Sequence, residues 1–253
     1  MKAFTLDALD ARPTLRDDVP DPTPAANEVL VRVHASSVNP VDAGIAGGML
    51  AQMFEYEFPV TLGRDYAGVV ERAGADVTRY AVGDEVYGFL LHANPNVHDG
   101  SWAELITVPE DNSIARKPAG VDVATAGAAP LAGIAPLLSV DALALSAGET
   151  ALVVGATGGV GSLAVQLGAS AGATIVAPAM AEDEDYLRGL GVIEFVPRDG
   201  DLVAAVRERH PDGVDTLSTS SPTSPAVSTP PSRTVPVSPP PTEPPATAPA
   251  TPT

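Results

Sequence analysis

Cysteine is absent from the 253-residue chain, and basic residues are scarce. The lack of cysteine excludes disulfide bonds and thiolate metal sites, and it fits a cytoplasmic protein. Lys and Arg number 14 against 32 Asp and Glu, which gives a formal net charge of −18. Because so acidic a chain repels phosphates and anionic surfaces, neither nucleic acid nor a membrane is an expected partner.

Long apolar runs are also missing. The N-terminus lacks the apolar segment of a secretory signal, and no later stretch holds 18 apolar residues free of Gly, Pro or charge. We therefore expect a soluble protein that stays in the cytoplasm. The hydrophobic content of 45% is nevertheless typical of a chain that buries a core.

The first 110 residues are rich in short β-like segments. Runs of β-branched and alternating apolar residues are punctuated by Gly, Asp and Pro, which predicts a small barrel or sandwich. From about Asp122, Ala and Leu at helical spacing predict a helical connector that Pro130 and Pro136 break. The β-like segments are "NEVLVRVHASSVN", "YAGVVERAGADV", "GDEVYGFLL" and "GSWAELITVP".

The second half alternates between strand and helix patterns, which predicts a parallel sheet with helices. The predicted strands are "TALVVGA", "ATIVAPA" and "VIEFVP", with "VDTL" as the beginning of a fourth. The predicted helices are "GGVGSLAVQLGASAG", "DEDYLRGLG" and "DLVAAVRERHPDG".

A glycine-rich turn follows the first of these strands and opens a helix. Glycines let main-chain N–H groups approach a dinucleotide diphosphate, and the helix start adds partial positive charge. The segment 159–164 matches the G-x-G-x-x-G/A form. The alternative is a tight turn without a ligand. The candidate cofactor-binding residues are Gly155, Ala156, Thr157, Gly158, Gly159, Val160 and Gly161.

The end of the second predicted strand bears on the choice of cofactor. An Asp or Glu there would bind the ribose 2′-hydroxyl of NAD, but the chain has Pro178, Ala179 and Met180. The missing acid favours NADP (as NADPH), although no Lys or Arg follows before Arg188.

With these motifs the chain resembles the medium-chain dehydrogenase/reductase superfamily, in its zinc-independent quinone oxidoreductase branch. The resemblance implies a GroES-like barrel domain at residues 1–118 and a Rossmann (doubly wound parallel) cofactor domain at residues 119–216. It also implies homodimers. The motifs are "SSVNPVDAGIAGG", "PVTLGRDYAGVVERAGADVTRYAVGDEVYGF", "GSWAELITVP", "AAPLAGIAPLLSVDAL" and the turn at Ala156–Gly161.

The resemblance also implies candidate catalytic residues. It puts Asn39 and Asp42 at the edge of the nicotinamide and substrate pocket, with a hydrogen-bonded turn as the alternative. Tyr56 lies where relatives place an aromatic residue near the substrate, and a packed loop aromatic is the alternative. Arg64 and Asp65 are interpreted as a structural charge cluster without a chemical step.

The same comparison of motifs argues against zinc. Zinc-dependent relatives have a Cys at the position of Asn39 and a His-Glu pair at Arg64-Asp65. The four histidines also lack the spacing of a tetrahedral site. Without a Lewis acid, the expected substrates are quinones and α,β-unsaturated carbonyls, whose conjugation spreads the incoming charge. The histidines are His34, His92, His98 and His210.

Three departures from the family pattern stand out. Relatives commonly have a Thr at Ala135 and an Ala at Gly168. Residues 217–253 are mostly Pro, Ser and Thr, which predicts a disordered tail that begins inside the fourth strand. A mucin-like stalk, a polyproline linker or interaction tail, and a shifted reading frame are the interpretations of this tail, and the last is favoured. Two functional hypotheses follow: a quinone or enone reductase, or a non-catalytic cofactor-binding remnant of one.

Overall fold

The computed structural model describes residues 1–90, 96–219 and 233–236. It divides into two compact units, residues 1–132 and 133–253. The first unit extends beyond residue 118 because a helix at 123–128 packs on its sheet, where Gly127 lies against Ala35. The domain boundaries after residues 118 and 216 stay predictions.

The first unit is β-rich, as the sequence predicted. Its helices are α1 (Pro40–Ala46), α2 (Val123–Ala128) and the first residues of α3 (Pro130–Leu143). Its strands are β1 (Ala3–Leu6), β2 (Thr14–Arg16), β3 (Glu28–Ala35), β4 (Glu55–Tyr56), β5 (Val60–Thr61), β6 (Asp65–Ala73), β7 (Glu85–Phe89), β8 (Asn96–Val97), β9 (Leu105–Pro109) and β10 (Ile114–Arg116).

Five of these strands form an antiparallel sheet in the order β10-β7-β6-β3-β9, so β6 is central. A second sheet has the order β2-β1-β5, and β4 pairs with β8. Alternate residues of the strands face the core: Val29 and Val31 of β3 are fully buried beside Val70 and Ile106. The alternation of apolar residues in the sequence therefore reports the buried face of the sheet.

The helical connector differs in one detail from its prediction. Pro130 separates α2 from α3 and begins α3, where the missing N–H of proline costs nothing. Pro136 was predicted to break the helix as well, but α3 continues through it to Leu143. Pro136 is buried, and Ser139 donates its hydroxyl to the Ala135 carbonyl at 2.8 Å. Packing keeps this helix together although proline removes one main-chain hydrogen bond.

The second unit contains a parallel sheet, and every strand and helix predicted in it is present. Its helices are α4 (Gly159–Ser170), α5 (Glu184–Leu190) and α6 (Leu202–Arg209), with a 3-10 turn at Ala181–Asp183. Its strands are β11 (Thr150–Val154), β12 (Thr174–Ala179), β13 (Val192–Pro197), β14 (Thr216–Thr219) and β15 (Arg233–Pro236).

The strand order β13-β12-β11-β14-β15 follows the doubly wound pattern of a Rossmann sheet. Ile175 and Ala177 pack on one face with Leu187 of α5, while Val176 packs on the other with Val206 of α6. The predicted start of a fourth strand is β14. The strand β15 is a difference, because the composition of the tail predicted no strand there. The rest of the predicted tail lies outside the described residues.

Candidate functional site

The seven predicted cofactor residues lie in the turn between β11 and α4 and in the first turn of α4 itself. Gly155 has a φ of 82°, in the left-handed region that glycine enters without steric cost. Gly161 lies so close that a Cβ on it would be 2.0 Å from the Gly155 carbonyl oxygen. Two of the glycines are therefore required by the turn itself, whether or not it binds a ligand.

The turn also presents free main-chain donors. Gly158 is the N-cap of α4, and Thr157, Gly158 and Gly159 are exposed. The first bond of the helix joins the Ser162 N–H to the Gly158 oxygen at 2.8 Å. The N–H groups of residues 159–161 consequently have no partner within the helix. Together with the helix dipole, this arrangement fits a diphosphate.

The remaining two candidates can act only through their main chains. Ala156 is buried, and its methyl group packs in the core beneath the turn. Val160 is half-buried in the first turn of α4. Both side chains pack beneath or beside the turn, so the groups they can offer a ligand are their main-chain atoms. Cofactor binding by the seven residues stays a prediction.

The end of β12 has no carboxylate, and Arg188, the first basic residue after it, is already engaged by other side chains. β12 ends at Ala179, so no carboxylate occupies the strand end. The Arg188 guanidinium lies 3.4 Å from Glu184 and 2.9 Å from Asp185, and it stacks over the Phe195 ring at 5.0 Å. Arg188 is therefore engaged by its own helix and by β13.

Asn39 and Asp42 meet at the start of α1. Asn39 is the N-cap, and its main-chain N–H donates to Asp42 Oδ2 at 2.7 Å. The Asp42 N–H donates in return to the Asn39 main-chain oxygen at 3.0 Å. The Asp42 carboxylate thus completes one half of a capping box, while the Asp42 N–H bonds to the main chain of Asn39 and leaves the Asn39 side chain out of the cap. The hydrogen-bonded turn that the sequence left as an alternative is therefore present at these two residues.

The side chain of Asn39 is held by a carboxylate from the central strand. Its Nδ2 donates to Asp65 Oδ2 at 2.9 Å and to Ser37 Oγ at 2.8 Å. The Ser37 hydroxyl donates to the same Asp65 oxygen, and Asp65 Oδ1 accepts the Leu131 N–H at 2.8 Å. Asp65 is fully buried at the first position of β6. Both of its oxygens are thus used to fix neighbouring segments.

Arg64 lies immediately before β6 and Asp65 begins that strand, and the charges of both buried residues act on the Asp42 carboxyl. Arg64 donates to the Asp99 carbonyl at 3.2 Å, and its charge acts on Asp42. Sequence reasoning gave Asp65 no role in the site. The available signal was an ionisable pair directly before the uncharged segment 66–70 of a strand.

Burial perturbs both charges near the start of α1. Asp42 is 1% exposed, and burial raises the pKa of its carboxyl, opposed in part by the Asn39 N–H and the Arg64 guanidinium. Burial likewise lowers the pKa of Arg64. Among the described residues, Asp42 Oδ1 and Arg64 Nη2 have no hydrogen-bond partner. Asp42 therefore has the environment of a buried positioning group more than that of a solvated base.

Tyr56 has a structural environment. Its hydroxyl donates to the Ile45 carbonyl at 2.9 Å and accepts the Leu50 N–H at 3.4 Å. Its ring lies 6.0 Å from that of Phe58, centroid to centroid, and packs beside the buried Leu62 cluster. Tyr56 is thus a packed aromatic, but it belongs to the short strand β4 and not to the loop that the sequence predicted. Its place near a substrate stays a prediction.

A cavity of about 350 Å³ adjoins the start of α1. Asn39 and Asp42 line it together with Val38 and Trp102, and Trp102 donates its indole N–H to the Ser37 oxygen at 3.0 Å. Tyr56 does not line this cavity. The structure therefore brings two of the three predicted catalytic residues to one cavity and leaves the third in the strand β4.

Residues 1–90, 96–219 and 233–236 contain neither a metal-binding cluster nor a membrane-spanning helix. Within these ranges no group of three His, Asp or Glu side chains is placed to hold a metal ion. Helices of the described part are all too short or too polar to cross a bilayer. His98 pairs with Asp99 and His210 with Glu194, while His92 lies outside the described residues.

Sequence comparison connects this architecture to known proteins. Residues 25–119 match the alcohol dehydrogenase GroES-like domain. The chain is 33% identical over 187 residues to the mitochondrial NAD(P)H oxidoreductase RTN4IP1 of Mus musculus, covering 67% of this chain and 46% of that protein. It is 33% identical over 185 residues to the chloroplastic quinone-oxidoreductase homolog of Spinacia oleracea, covering 71% of this chain and 55% of that protein.

Comparison with solved structures also identifies similar folds among oxidoreductases. The quinone oxidoreductase from Coxiella burnetii matches 86% of this chain and 67% of its own, with a TM-score of 0.77 and 28% identity. The CurK enoyl reductase matches 93% of this chain and 73% of its own, with a TM-score of 0.80 and 28% identity.

The chain spans about half the length of the curated relatives it matches. The solved structures nonetheless match 86% and 93% of this chain. With these matches in place, the chain belongs to the medium-chain dehydrogenase/reductase superfamily, among relatives of the quinone oxidoreductase type.

Proposed function

We propose that this protein is an NADPH-dependent, zinc-independent oxidoreductase that transfers hydride to a quinone or an α,β-unsaturated carbonyl compound. The observation that carries the proposal is the strand–glycine turn–helix at residues 150–170, with its three N–H groups free of helix partners. Relatives described as NAD(P)H and quinone oxidoreductases support the reaction class. In this proposal residues 1–118 form the catalytic domain and residues 119–216 the cofactor domain.

The cofactor would be held by the glycine turn. The N–H groups of residues 159–161 would donate to its diphosphate, and Gly155 and Gly161 would keep the turn tight enough for that approach. A bound nicotinamide cofactor would supply the hydride. NADPH is proposed over NADH because no carboxylate stands at Ala179 to bind a free 2′-hydroxyl.

Zinc independence is supported by the contacts of Asn39 and Asp65. In the resemblance these positions correspond to zinc ligands or their neighbours, yet here the amide donates to the carboxylate at 2.9 Å. The Asn39 amide nitrogen donates to Ser37 and to the buried Asp65 carboxylate, which makes Asn39 and Asp65 poor zinc ligands. Zinc prefers thiolate, imidazole and free carboxylate ligands. The residues present therefore do not fit a catalytic zinc.

The acceptor must then stabilise its own charge. A quinone that takes up hydride spreads the new charge over its conjugated ring, and a proton from solvent completes the hydroquinone. An α,β-unsaturated carbonyl takes hydride at the β carbon and a proton at the α carbon. Neither reaction requires a metal to polarise an isolated ketone.

The three predicted catalytic residues have different proposed roles. Asn39 lines the cavity and is the one proposed to touch a ligand. Asp42 would act through Asn39, whose N–H it accepts at 2.7 Å. Tyr56 would fix the loop after α1 through its bond to the Ile45 carbonyl. Asp42 and Tyr56 are thus proposed as positioning residues.

The test is turnover by the complete 253-residue chain. We expect oxidation of NADPH with 1,4-benzoquinone at about 1 s⁻¹ or faster, followed by absorbance at 340 nm. A kcat/KM for NADH equal to or above that for NADPH would refute the choice of cofactor alone. Tight NADPH binding in a fluorescence titration without turnover would favour the non-catalytic cofactor-binding protein. Absence of binding would contradict both hypotheses.

Cellular location and assembly belong to the same proposal. A cytoplasmic location is expected from the lack of cysteine, and a homodimer is what the resemblance implies for the family. Fractionation with the native gene and light scattering of the purified chain are the measurements. A monomer, or a chain recovered with organelles, would contradict these two statements without affecting the reaction.

A further inference from the structure

Asn39 is held by its nitrogen, and this determines what its side chain can offer a ligand. An amide has two N–H donors, and Asn39 Nδ2 directs them to Asp65 Oδ2 at 2.9 Å and Ser37 Oγ at 2.8 Å. The hydroxyl of Ser37 donates in turn to Asp65, so the three groups form a closed triangle. What remains for a ligand is the carbonyl oxygen Oδ1.

Asp65 is well placed to impose this orientation. It is fully buried and begins β6, the central strand of the five-stranded sheet. Its second oxygen accepts the Leu131 N–H at 2.8 Å, so the carboxylate cannot rotate without losing a buried bond. A group fixed on a central strand and bonded on both sides is a rigid support for a site residue.

We propose that Asp65 is a positioning residue that orients the Asn39 amide, so that the cavity beside α1 presents a hydrogen-bond acceptor and no amide donor. Asn39 then binds an N–H or O–H of its ligand. It does not stabilise a negative oxygen during hydride transfer, because both of its N–H groups are already used. The donor class includes the carboxamide of a nicotinamide and the hydroxyl of a hydroquinone.

The orientation is testable without turnover. In the ¹⁵N-labelled chain we expect both Asn39 side-chain protons to exchange slowly with water, with the resonances identified by their loss in Asn39→Ser. Ser37→Ala removes one acceptor and is expected to speed exchange of one proton by about tenfold or more. Asp65→Asn replaces an acceptor by a donor, so the Asn39 amide should turn over and both protons should exchange faster.

Asp42→Asn is the matched control. Asp42 is also buried and also bonded to Asn39, but only through the main-chain N–H. Its substitution should leave side-chain exchange unchanged. Wild-type exchange rates in both Ser37→Ala and Asp65→Asn would overturn the proposal. If Asp65→Asn does not fold, Ser37→Ala decides the question by itself.

The ligand arm rests on the proposed function and uses two matched pairs. Wild type should bind NADP⁺ about tenfold more tightly than its 3-acetylpyridine analogue if the cofactor carboxamide is the donor. It should bind hydroquinone about tenfold more tightly than 1,4-dimethoxybenzene if the substrate hydroxyl is the donor. Tighter binding of the donor-bearing ligand in either pair supports the proposal if Asp65→Asn reduces that difference in affinity. The pair that shows the difference identifies the donor.

Equal binding within both pairs would overturn the acceptor role of Asn39. A third outcome is that the wild-type chain shows no turnover, while its Asn39 side-chain protons exchange slowly and those of Asp65→Asn exchange fast. It would refute the proposed reaction and leave the positioning role of Asp65 intact.

Discussion

Gly161 illustrates how a single missing side chain shapes the candidate cofactor site. Its Cα faces the Gly155 carbonyl so closely that an added Cβ would lie 2.0 Å from that oxygen and 2.9 Å from the Ala156 Cα. Both neighbours are main-chain atoms, so neither can move aside by a change of rotamer. Gly168 is a milder case, because its Cβ would meet the flexible end of Ile175 at 2.8 Å. The departure from Ala at residue 168 thus has a packing reason.

Substitution Gly161→Ala is expected to lower the free energy of unfolding by about 1–3 kcal/mol, the usual cost of overpacking. It should also weaken NADPH binding, since the turn must open. Urea unfolding followed by circular dichroism, together with NADPH fluorescence, measures both effects.

Gly189→Ala is the control for this substitution. Gly189 lies in α5 with no atom within 4 Å of an added Cβ. Ala is a better helix former, so stability should rise by up to about 1 kcal/mol. If Gly161→Ala unfolds at the same urea concentration as wild type, the close approach in the turn is not required.

Among the elements, α6 shows how one cap supports a face of the sheet. Asp201 accepts the Ala204 N–H at 3.0 Å at the start of the helix. The helix then places Val206, fully buried, against Leu152 and Val176 on one face of the parallel sheet. Without α6 this face would lose its cover, since α4 and α5 pack on the opposite side.

Asp201→Ala is expected to cost about 1 kcal/mol, as loss of an N-cap acceptor usually does. Asp199→Ala is the matched control, because Asp199 is exposed and has no hydrogen bond or ion pair with any residue that the structure describes. Equilibrium unfolding in urea compares the two variants. Equal stability of both would show that the cap contributes nothing.

The charge of the whole molecule is concentrated in residues 1–216. Beyond them the only charged side chains are Arg233 and Glu243, which cancel, so the formal charge of −18 belongs to the part with the two folded units. Carboxylates at this density repel one another in the compact state. Ion pairs such as Arg188 with Asp185 offset only part of this repulsion.

Added NaCl is therefore expected to raise the thermal midpoint of the full chain, by about 2–4 °C for each kcal/mol of repulsion that is screened. The measurement is a thermal melt at 10 mM and 500 mM NaCl, two concentrations chosen because the Debye length falls from about 30 Å to a few Å between them. Sucrose at equal osmolarity controls for solute exclusion. A midpoint that is flat or falls with salt would contradict a charge-limited stability.

Local patterns along the chain were sufficient for most of the longer elements and for the glycine turn, whereas α1 and the two-residue strands β4, β5 and β8 were not predicted. Short runs of β-branched and alternating apolar residues identified β3 and β6, and a continuous apolar run identified β11 as a buried strand. The turn at 155–161 was recognisable because its strand, glycines and helix are contiguous. The fifth strand was missed because a Pro- and Ser-rich segment carries no such period, and its pairing with β14 depends on neighbours distant in sequence.

The arrangement of the site depended on contacts between distant segments. Asp65 bonds to Asn39 across 26 residues and to Leu131 across 66, and no periodicity encodes such a meeting. The Tyr56 hydroxyl could have faced a ligand or the Ile45 carbonyl, and only the folded loop decides between them. Residue type and spacing are local properties, whereas the direction of a polar side chain depends on which buried partner the fold brings near it.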